Sequence, residues 1–161
     1  MSENSALVKG VNRAWDAGLV VVVAAGNNGP RTMSITTPGI SRKVITVGCS
    51  DDDREVLVGG NRMVDYSGRG PTAACICKPD LVAPGCSVVS CSSRADKYTI
   101  KSGTSMSTPI VSGAVALLLE RFPDMSNKDV KLRLRESSVD IGLPRNQQGW
   151  GLLDVGKMLE R

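Results

Sequence analysis

Residues 102–109, Ser-Gly-Thr-Ser-Met-Ser-Thr-Pro, have the composition of a turn that presents a nucleophile. Gly103 has no side chain, so another part of the backbone can approach it closely. Ser105 follows at the predicted start of a helix, where free N–H groups and the positive end of the helix dipole can stabilise an oxyanion. Small residues at a helix start also permit tight packing, so this segment alone leaves both interpretations open.

A second candidate, Asn27, follows a β-branched run. Residues 19–25 predict a central parallel strand that is buried on both faces. Ligands bind at the carboxyl ends of strands in open α/β sheets, so Asn27, directly after Gly26, is placed for chemistry. The Gly26-Asn27 dipeptide fits equally well an asparagine that only forms a turn. The dipeptide alone therefore does not distinguish a catalytic role of Asn27 from a structural one.

Residues 67–71 (Ser-Gly-Arg-Gly-Pro) and 78–85 (Lys-Pro-Asp-Leu-Val-Ala-Pro-Gly) lie between these two candidates. In this order and at these separations, the segments resemble the C-terminal half of the catalytic domain of subtilisin-like serine proteases, over about residues 7–159. The resemblance implies an α/β fold: the C-terminal portion of a three-layer subtilisin-like fold with a parallel sheet flanked by helices. Residues 1–161 would then form one partial catalytic domain, without the first half that carries the catalytic Asp and His.

The same resemblance implies roles for individual residues. Ser105 would be the nucleophile, and Asn27 would donate its side-chain amide to the oxyanion together with the Ser105 N–H. It also implies a cis bond between Thr37 and Pro38 and an open pocket for a sizeable apolar side chain. The implied substrate-binding residues are Ala24, Ala25, Gly26, Thr36, Thr37, Gly39, Gly103 and Thr104.

The chain contains no histidine. A serine needs an adjacent base to act as a nucleophile at neutral pH, and in subtilisin-like enzymes that base is a histidine. We therefore expect this chain to bear the nucleophile and oxyanion hole of an endopeptidase that hydrolyses peptide bonds, but to be inactive in isolation. A catalytically dead binding or regulatory fragment is the alternative, and an unrelated α/β ligand-binding domain is a third. Nothing in the spacing of Lys97 or Lys101 favours a lysine base.

Composition narrows the class of protein. The chain is 161 residues long and 41% hydrophobic, which suits one globular domain. The net charge of +4 is scattered and aromatic residues are few, so a nucleic-acid platform is not expected. The apolar runs are too short to span a bilayer, and no signal peptide is recognisable. Five irregularly spaced cysteines favour free thiols in a reducing cytoplasm, although secretion of a full-length protein stays open.

Metal ligands are sparse in the sequence. Cys75 and Cys77 have no second cysteine pair and no histidine with which to hold zinc, and residues 51–53, three aspartates, are expected to form a solvated turn. No cofactor or catalytic metal is predicted. By resemblance alone, a weak Ca²⁺ or Na⁺ site is conceivable near Gly39, Ser41, Val44 and Asp80.

The predicted partners follow from the incomplete domain. A peptide or protein substrate and the missing N-terminal half are expected to bind. Without that half, the strand at residues 19–25 would expose a sheet edge, which favours pairing with another chain as a homodimer. Other predicted elements are helices at residues 2–17, 104–121, 126–136 and 152–159, hairpins at 56–66 and 87–101, and a polar loop at 141–149.

Overall fold

The structure is a computed structural model, and it describes residues 4–93 and 97–160. Within those residues, helices alternate with short strands. The helices are α1 (Ala6–Asp16), α2 (Thr104–Arg121), α3 (Asn127–Ser137), α4 (Arg145–Gln148) and α5 (Val155–Leu159). The strands are β1 (Val22–Ala24), β2 (Ile45–Cys49), β3 (Val56–Val58), β4 (Asn61–Met63), β5 (Leu81–Ala83), β6 (Val88–Cys91) and β7 (Tyr98–Lys101).

The central element is a three-stranded parallel sheet with the order β1-β2-β5. Every residue of β2 is buried, as is typical of a parallel strand covered on both faces. Leu152 bridges in parallel to Val82, which continues the sheet beyond β5. The predicted α/β class, with helices packed on a parallel sheet, is therefore confirmed.

Helix α2 packs across all three strands of the sheet. Its buried face carries Val111, Ala114, Val115 and Leu118. The opposite face is open, and Leu117 is 48% exposed. Helix α2 is therefore buried on one face only, because the described chain covers only that side of it. The core beneath it also contains Trp15, Ile45, Val47, Leu81, Ala83, Val130, Leu134 and Met158.

The prediction for β1 needs a correction. Only Val22–Ala24 pairs as a strand, its residues are half-buried, and Leu19 is 60% exposed. β1 lies at the margin of the sheet, since no strand among residues 4–93 and 97–160 pairs with its outer side. A run that was expected to be central and buried on both faces is therefore an edge strand in this chain.

The predicted aspartate turn also differs from the structure. Asp52 is buried, and its carboxylate accepts the Ser67 N–H at 2.7 Å. The Asp51 carboxylate accepts the N–H groups of Gly85 and Cys86. Two of the three carboxylates thus fasten loops together instead of facing solvent, because buried N–H groups of those loops need acceptors.

Most other predicted elements are present with shifted ends. Helix α1 begins after Ser5, whose side chain accepts the Val8 N–H, and α3 begins with a capping box formed by Ser126 and Asp129. Both predicted hairpins form, as β3-β4 and β6-β7. The Thr37–Pro38 bond is cis as predicted, and the predicted polar loop at 141–149 contains α4. No helix in the described ranges is long and apolar enough to cross a membrane.

Candidate active site

Ser105 lies in the first turn of α2, with its side chain exposed. Gly103 is the residue that caps this helix, and its φ of 140° is one that residues with side chains rarely adopt. Its N–H donates to the Gly85 carbonyl at 2.9 Å, which fixes the turn before the serine. The sequence therefore places the hydroxyl on a rigid helix start and not on a mobile loop.

Asn27 meets this helix start from the end of β1. Its Oδ1 accepts two hydrogen bonds from Thr104, one from the backbone N–H and one from the hydroxyl, each at 3.0 Å. The Gly26 N–H in turn donates to the Thr104 hydroxyl at 3.2 Å. Thr104 is buried and 77 residues distant in sequence from Asn27, so the two segments are joined by specific contacts.

The orientation of Asn27 decides what its amide can do. Because Oδ1 is held by Thr104, the Nδ2 group is turned toward the Gly103 side of the turn, where a Cβ on Gly103 would lie 3.2 Å from it. The N–H of Ser105 lies in the same first turn, where the helix supplies no acceptor. A side-chain amide and a free N–H at a helix start are the kinds of donor that can stabilise an oxyanion.

The implied pocket residues converge beside Asn27. The Ala25 carbonyl accepts the Thr36 N–H at 2.8 Å and the Thr36 hydroxyl at 3.3 Å. A Cβ on Gly39 would lie 2.8 Å from the Ala24 carbonyl oxygen, and one on Gly26 would collide with Thr36. The segment with Thr36, Thr37 and Gly39 therefore packs directly on the wall formed by Ala24, Ala25 and Gly26.

A buried polar network supports the turn from below. The Tyr66 hydroxyl donates to the Gly85 carbonyl and contacts the Cys49 thiol at 3.2 Å, and Cys49 also contacts the Asp51 carboxylate. Burial raises the pKa of Cys49 to about 12, although its hydrogen bond with Tyr66 lowers it in part. Cys49 is therefore a protonated structural thiol at neutral pH and not a second nucleophile.

In the described part of the chain, no base is paired with Ser105. The chain lacks histidine, and within residues 4–93 and 97–160 no side chain forms a hydrogen bond with the Ser105 hydroxyl. Lys101 is exposed in β7. Within residues 4–93 and 97–160, the Ser105 hydroxyl is therefore not paired with a group that would remove its proton.

The residues implied for a weak cation site do not fit a metal ion. The Lys78 ammonium donates to the Asp80 carboxylate at 2.5 Å and to the Val44 carbonyl at 2.9 Å. The Gly39 carbonyl accepts the Thr46 hydroxyl at 2.8 Å. Burial lowers the pKa of Lys78 to about 8, with Asp80 opposing the shift, so the group is still an ammonium at pH 7. In the described part of the chain, no cluster of three or more His, Cys, Asp or Glu side chains could hold a metal.

Sequence reasoning missed two contributions. Thr104 was expected to bind substrate, and its contacts show that it orients Asn27. The burial of Lys78 was not anticipated at all. A lysine two residues before an aspartate at the start of an apolar strand was the available signal, since buried charges require partners.

Comparisons with known proteins identify the family of this chain. The Subtilase family model matches residues 1–151. Serine protease AprX of Bacillus subtilis (strain 168) is 42% identical over 145 residues, which cover 82% of this chain and 33% of that protein. Subtilisin DY of Bacillus licheniformis is 35% identical over 156 residues, which cover 96% of this chain and 52% of that protein. This chain thus spans roughly a third to a half of those relatives.

A solved structure shows the same fold. The prenylagaramide maturation protease PagA superimposes with a TM-score of 0.72 over 94% of this chain and 53% of that chain, at 23% identity. At that identity the likeness concerns the fold alone. Because the family model spans all but the last ten residues, this chain belongs to the subtilase family.

Proposed function

We propose that this chain supplies the nucleophile and the oxyanion hole of a serine endopeptidase that hydrolyses peptide bonds, and that it is inactive without a base from another segment. The observation that carries the proposal is the junction of Asn27, Thr104 and Ser105 at the start of α2. Membership of the subtilase family supports the reaction class. The absence of histidine from the sequence supports the inactivity of the chain alone.

The proposed chemistry uses the chain's own groups for attack and for charge stabilisation. An external base takes the Ser105 proton while Oγ forms a bond to the substrate carbonyl carbon. The carbonyl oxygen becomes an oxyanion, which accepts hydrogen bonds from the Asn27 Nδ2 group and the Ser105 N–H. The C–N bond then breaks as the protonated base returns its proton to the leaving amine, and water releases the acyl group in a second round.

We propose that the missing partner is the first half of a subtilase catalytic domain. The length of the chain supports this proposal, since it spans only 33% of serine protease AprX and 52% of subtilisin DY. The outer side of β1 is unpaired within the described residues. A mainly apolar groove of about 400 Å³ also lies between the β6-β7 hairpin and α2. It is lined by Val88, Val89, Ser90, Cys91, Thr99, Lys101, Met106, Pro109 and Ile110.

The test is the intact mass of the chain after incubation with a fluorophosphonate, with and without a polypeptide that carries the first half of a subtilase catalytic domain. We expect no adduct on the chain alone and one adduct on Ser105 after complementation. Ser105→Ala should abolish the adduct, and Ser112→Ala, which changes an exposed serine on the same helix, should not. An adduct on the chain alone would overturn the proposal, because a base would then already be present.

A catalytically dead binding or regulatory fragment is the second candidate function, and the missing histidine is what favours it. It predicts that the complementing polypeptide binds with a measurable Kd while neither adduct nor peptide cleavage appears. Sedimentation of the mixture, measured beside the mass experiment, separates stable binding without reaction from failure to bind.

The pocket and the thiols support two narrower proposals. The small residues Ala24, Ala25 and Gly26 leave space for a sizeable apolar side chain before the scissile bond. All five cysteines are free, and Cys75 and Cys91 are exposed. We propose a reducing, cytoplasmic setting on that ground, since exposed thiols persist where disulfides do not form.

A further inference from the structure

A buried charged cluster lies where residues 36–44, called the pocket loop here, join the sheet at β2. The Lys78 side chain is 1% exposed, and its ammonium bonds the Asp80 carboxylate and the Val44 carbonyl. Lys131 approaches from α3, and its ammonium lies 2.9–3.0 Å from the carbonyls of Arg42, Lys43 and Val44. It also lies 3.6 Å from the Asp80 carboxylate.

The acceptors in this cluster are those that a hard cation would take. Ca²⁺ binds carboxylate and main-chain carbonyl oxygens at about 2.3–2.6 Å, and the resemblance implied a weak cation site at Gly39, Ser41, Val44 and Asp80. The Lys78 nitrogen lies 2.5 Å from the Asp80 oxygen and 2.9 Å from the Val44 oxygen. A single positive charge with three donors therefore already sits among these oxygens.

The other oxygen atoms implied as cation ligands also accept hydrogen bonds from the protein. The Asp80 Oδ2 atom accepts the Thr46 N–H at 2.7 Å in addition to the Lys78 ammonium. The Gly39 carbonyl is bonded to the Thr46 hydroxyl. A metal ion would have to displace an ammonium that is almost fully buried and would face the second ammonium of Lys131.

We propose that the Lys78 ammonium, supported by Lys131, permanently takes the place of the Ca²⁺ or Na⁺ ion at this site. The lysine ties the segment that ends the pocket loop, at Val44, to the start of β5 at Asp80. The chain therefore joins its pocket loop to the sheet without depending on the concentration of either ion. This inference concerns stability and does not depend on the proposed function.

The first test measures the Tm of the 161-residue chain in EDTA, in Ca²⁺, and in NaCl against choline chloride at equal ionic strength. We expect the same Tm in all four solutions. A saturable rise of several degrees with Ca²⁺ or Na⁺ that disappears in Asp80→Asn would overturn the proposal, because a metal would then be bound at this carboxylate.

Terbium luminescence gives a second readout of metal binding that does not depend on Tm. The chain's two tryptophans, Trp15 and Trp150, both lie next to the Lys131 ammonium, 5.7 Å and 6.0 Å from its nitrogen to their ring centres. A Tb³⁺ ion held at Asp80 would be sensitised by these indoles. We expect no sensitised emission from the unaltered chain, and emission that Asp80→Asn abolishes would contradict the proposal.

The second test removes the ammonium. Lys78→Met leaves Asp80 buried without its partner, so we expect a Tm lower by on the order of 10 °C, restored in part by Na⁺ or Ca²⁺. Lys43→Met is the matched control, because it removes a lysine from a half-exposed ion pair with Asp16 and should change Tm little. If Lys78→Met loses stability with no new response to either ion, the lysine does not replace a cation. If Lys78→Met does not fold, the proposal is judged from three other results. These are the same Tm measurements on Lys131→Met, the Tm of the unaltered chain in the four solutions, and the terbium emission.

Discussion

Among single residues, Thr104 is the one on which the candidate oxyanion site depends. Its backbone N–H and its hydroxyl both hold Oδ1 of Asn27, and the same hydroxyl accepts the Gly26 N–H. One buried side chain thus fixes both the end of β1 and the orientation of a donor amide. The role of Asn27 is consequently inseparable from that of its neighbour.

The first prediction concerns these two residues in the complemented enzyme. Asn27→Ala should lower kcat by about 10²–10³, the loss known for one oxyanion donor in subtilisin itself. Thr104→Val keeps the shape but loses the hydroxyl, so we expect a smaller loss of about tenfold, corresponding to the one hydrogen bond that this hydroxyl donates to Asn27. Thr104→Ser is the control that keeps the hydroxyl. Steady-state hydrolysis of a peptide substrate measures all three, and full activity in Thr104→Val would contradict the orienting role.

The second prediction concerns Cys49 and alkaline stability. Its folded pKa is raised by burial to about 12 from an ordinary 9.0, so between those values the unfolded chain releases a proton that the folded chain keeps. The contribution of Cys49 to the free energy of unfolding is therefore at its full value below pH 9. Above pH 9 it falls by about 1.4 kcal/mol per pH unit. Burial raises the pKa of Tyr66 as well, which adds a decline above pH 10.

Urea unfolding at pH 8, 9, 9.5 and 10 checks this slope. Cys49→Ala should flatten the decline between pH 9 and 10, whereas Cys91→Ala, which changes an exposed thiol, should leave it in place. Equal slopes in Cys49→Ala and the unaltered chain would show that the buried thiol does not control alkaline stability.

At the scale of elements, Asn127 joins α3 to the end of α1. Its side-chain amide donates to the carbonyls of Trp15 at 2.7 Å and Leu19 at 3.1 Å, just before β1 begins. From a buried position, the amide adds a second donor to the Trp15 carbonyl, which also accepts the Gly18 N–H, and supplies a donor to the Leu19 carbonyl. The entry of the chain into β1, and hence the position of Asn27, depends on this contact.

We predict that Asn127→Ala destabilises the chain by about 2 kcal/mol, because the carbonyls of Trp15 and Leu19 each lose a side-chain hydrogen bond. The Tm should fall by roughly 4–8 °C. Asn28→Ala, at an exposed loop position, is the matched control and should stay within about 0.5 kcal/mol. Scanning calorimetry measures both variants, and an unchanged Tm in Asn127→Ala would show that water replaces the amide without cost.

At the scale of the whole molecule, the outer side of β1 is the notable feature. The bonds from Ile45 N–H to the Val21 carbonyl and from Ala25 N–H to the Val47 carbonyl direct residues 21 and 25 toward β2. Alternation along the strand then points the backbone groups of Val22 and Ala24 outward. An edge with free backbone groups is a template for another strand.

We predict that the isolated chain self-associates through this edge and that Val22→Pro weakens the association. Proline removes an outward N–H while the bonds that residues 21 and 25 make with β2 remain. Sedimentation velocity over a range of concentrations should show a dimer for the unaltered chain and a smaller species for the variant. A compact monomer at every concentration would contradict the prediction, and circular dichroism establishes whether the variant is folded.

The sequence by itself determined the elements whose signals are local. The capping box at Ser126 and Asp129 and the unbroken apolar pattern of α2 led to helices within one residue of those observed. Both hairpins followed from turn residues between β-branched runs. The nucleophile segment with Gly103 and Ser105, and the Asn27 turn, were recognisable because each lies within a few consecutive residues.

Only the tertiary structure decided how distant groups meet. Nothing local predicts that Thr104 holds Asn27, that Asp52 is buried, or that β1 lies at an edge. The aspartate two residues after Lys78 was a local signal for a buried lysine, but nothing local shows that its ammonium also bonds the Val44 carbonyl. Each of these depends on packing between segments that are far apart in the chain, and burial changes the free energy of a charge or hydrogen bond far more than its sequence neighbours do.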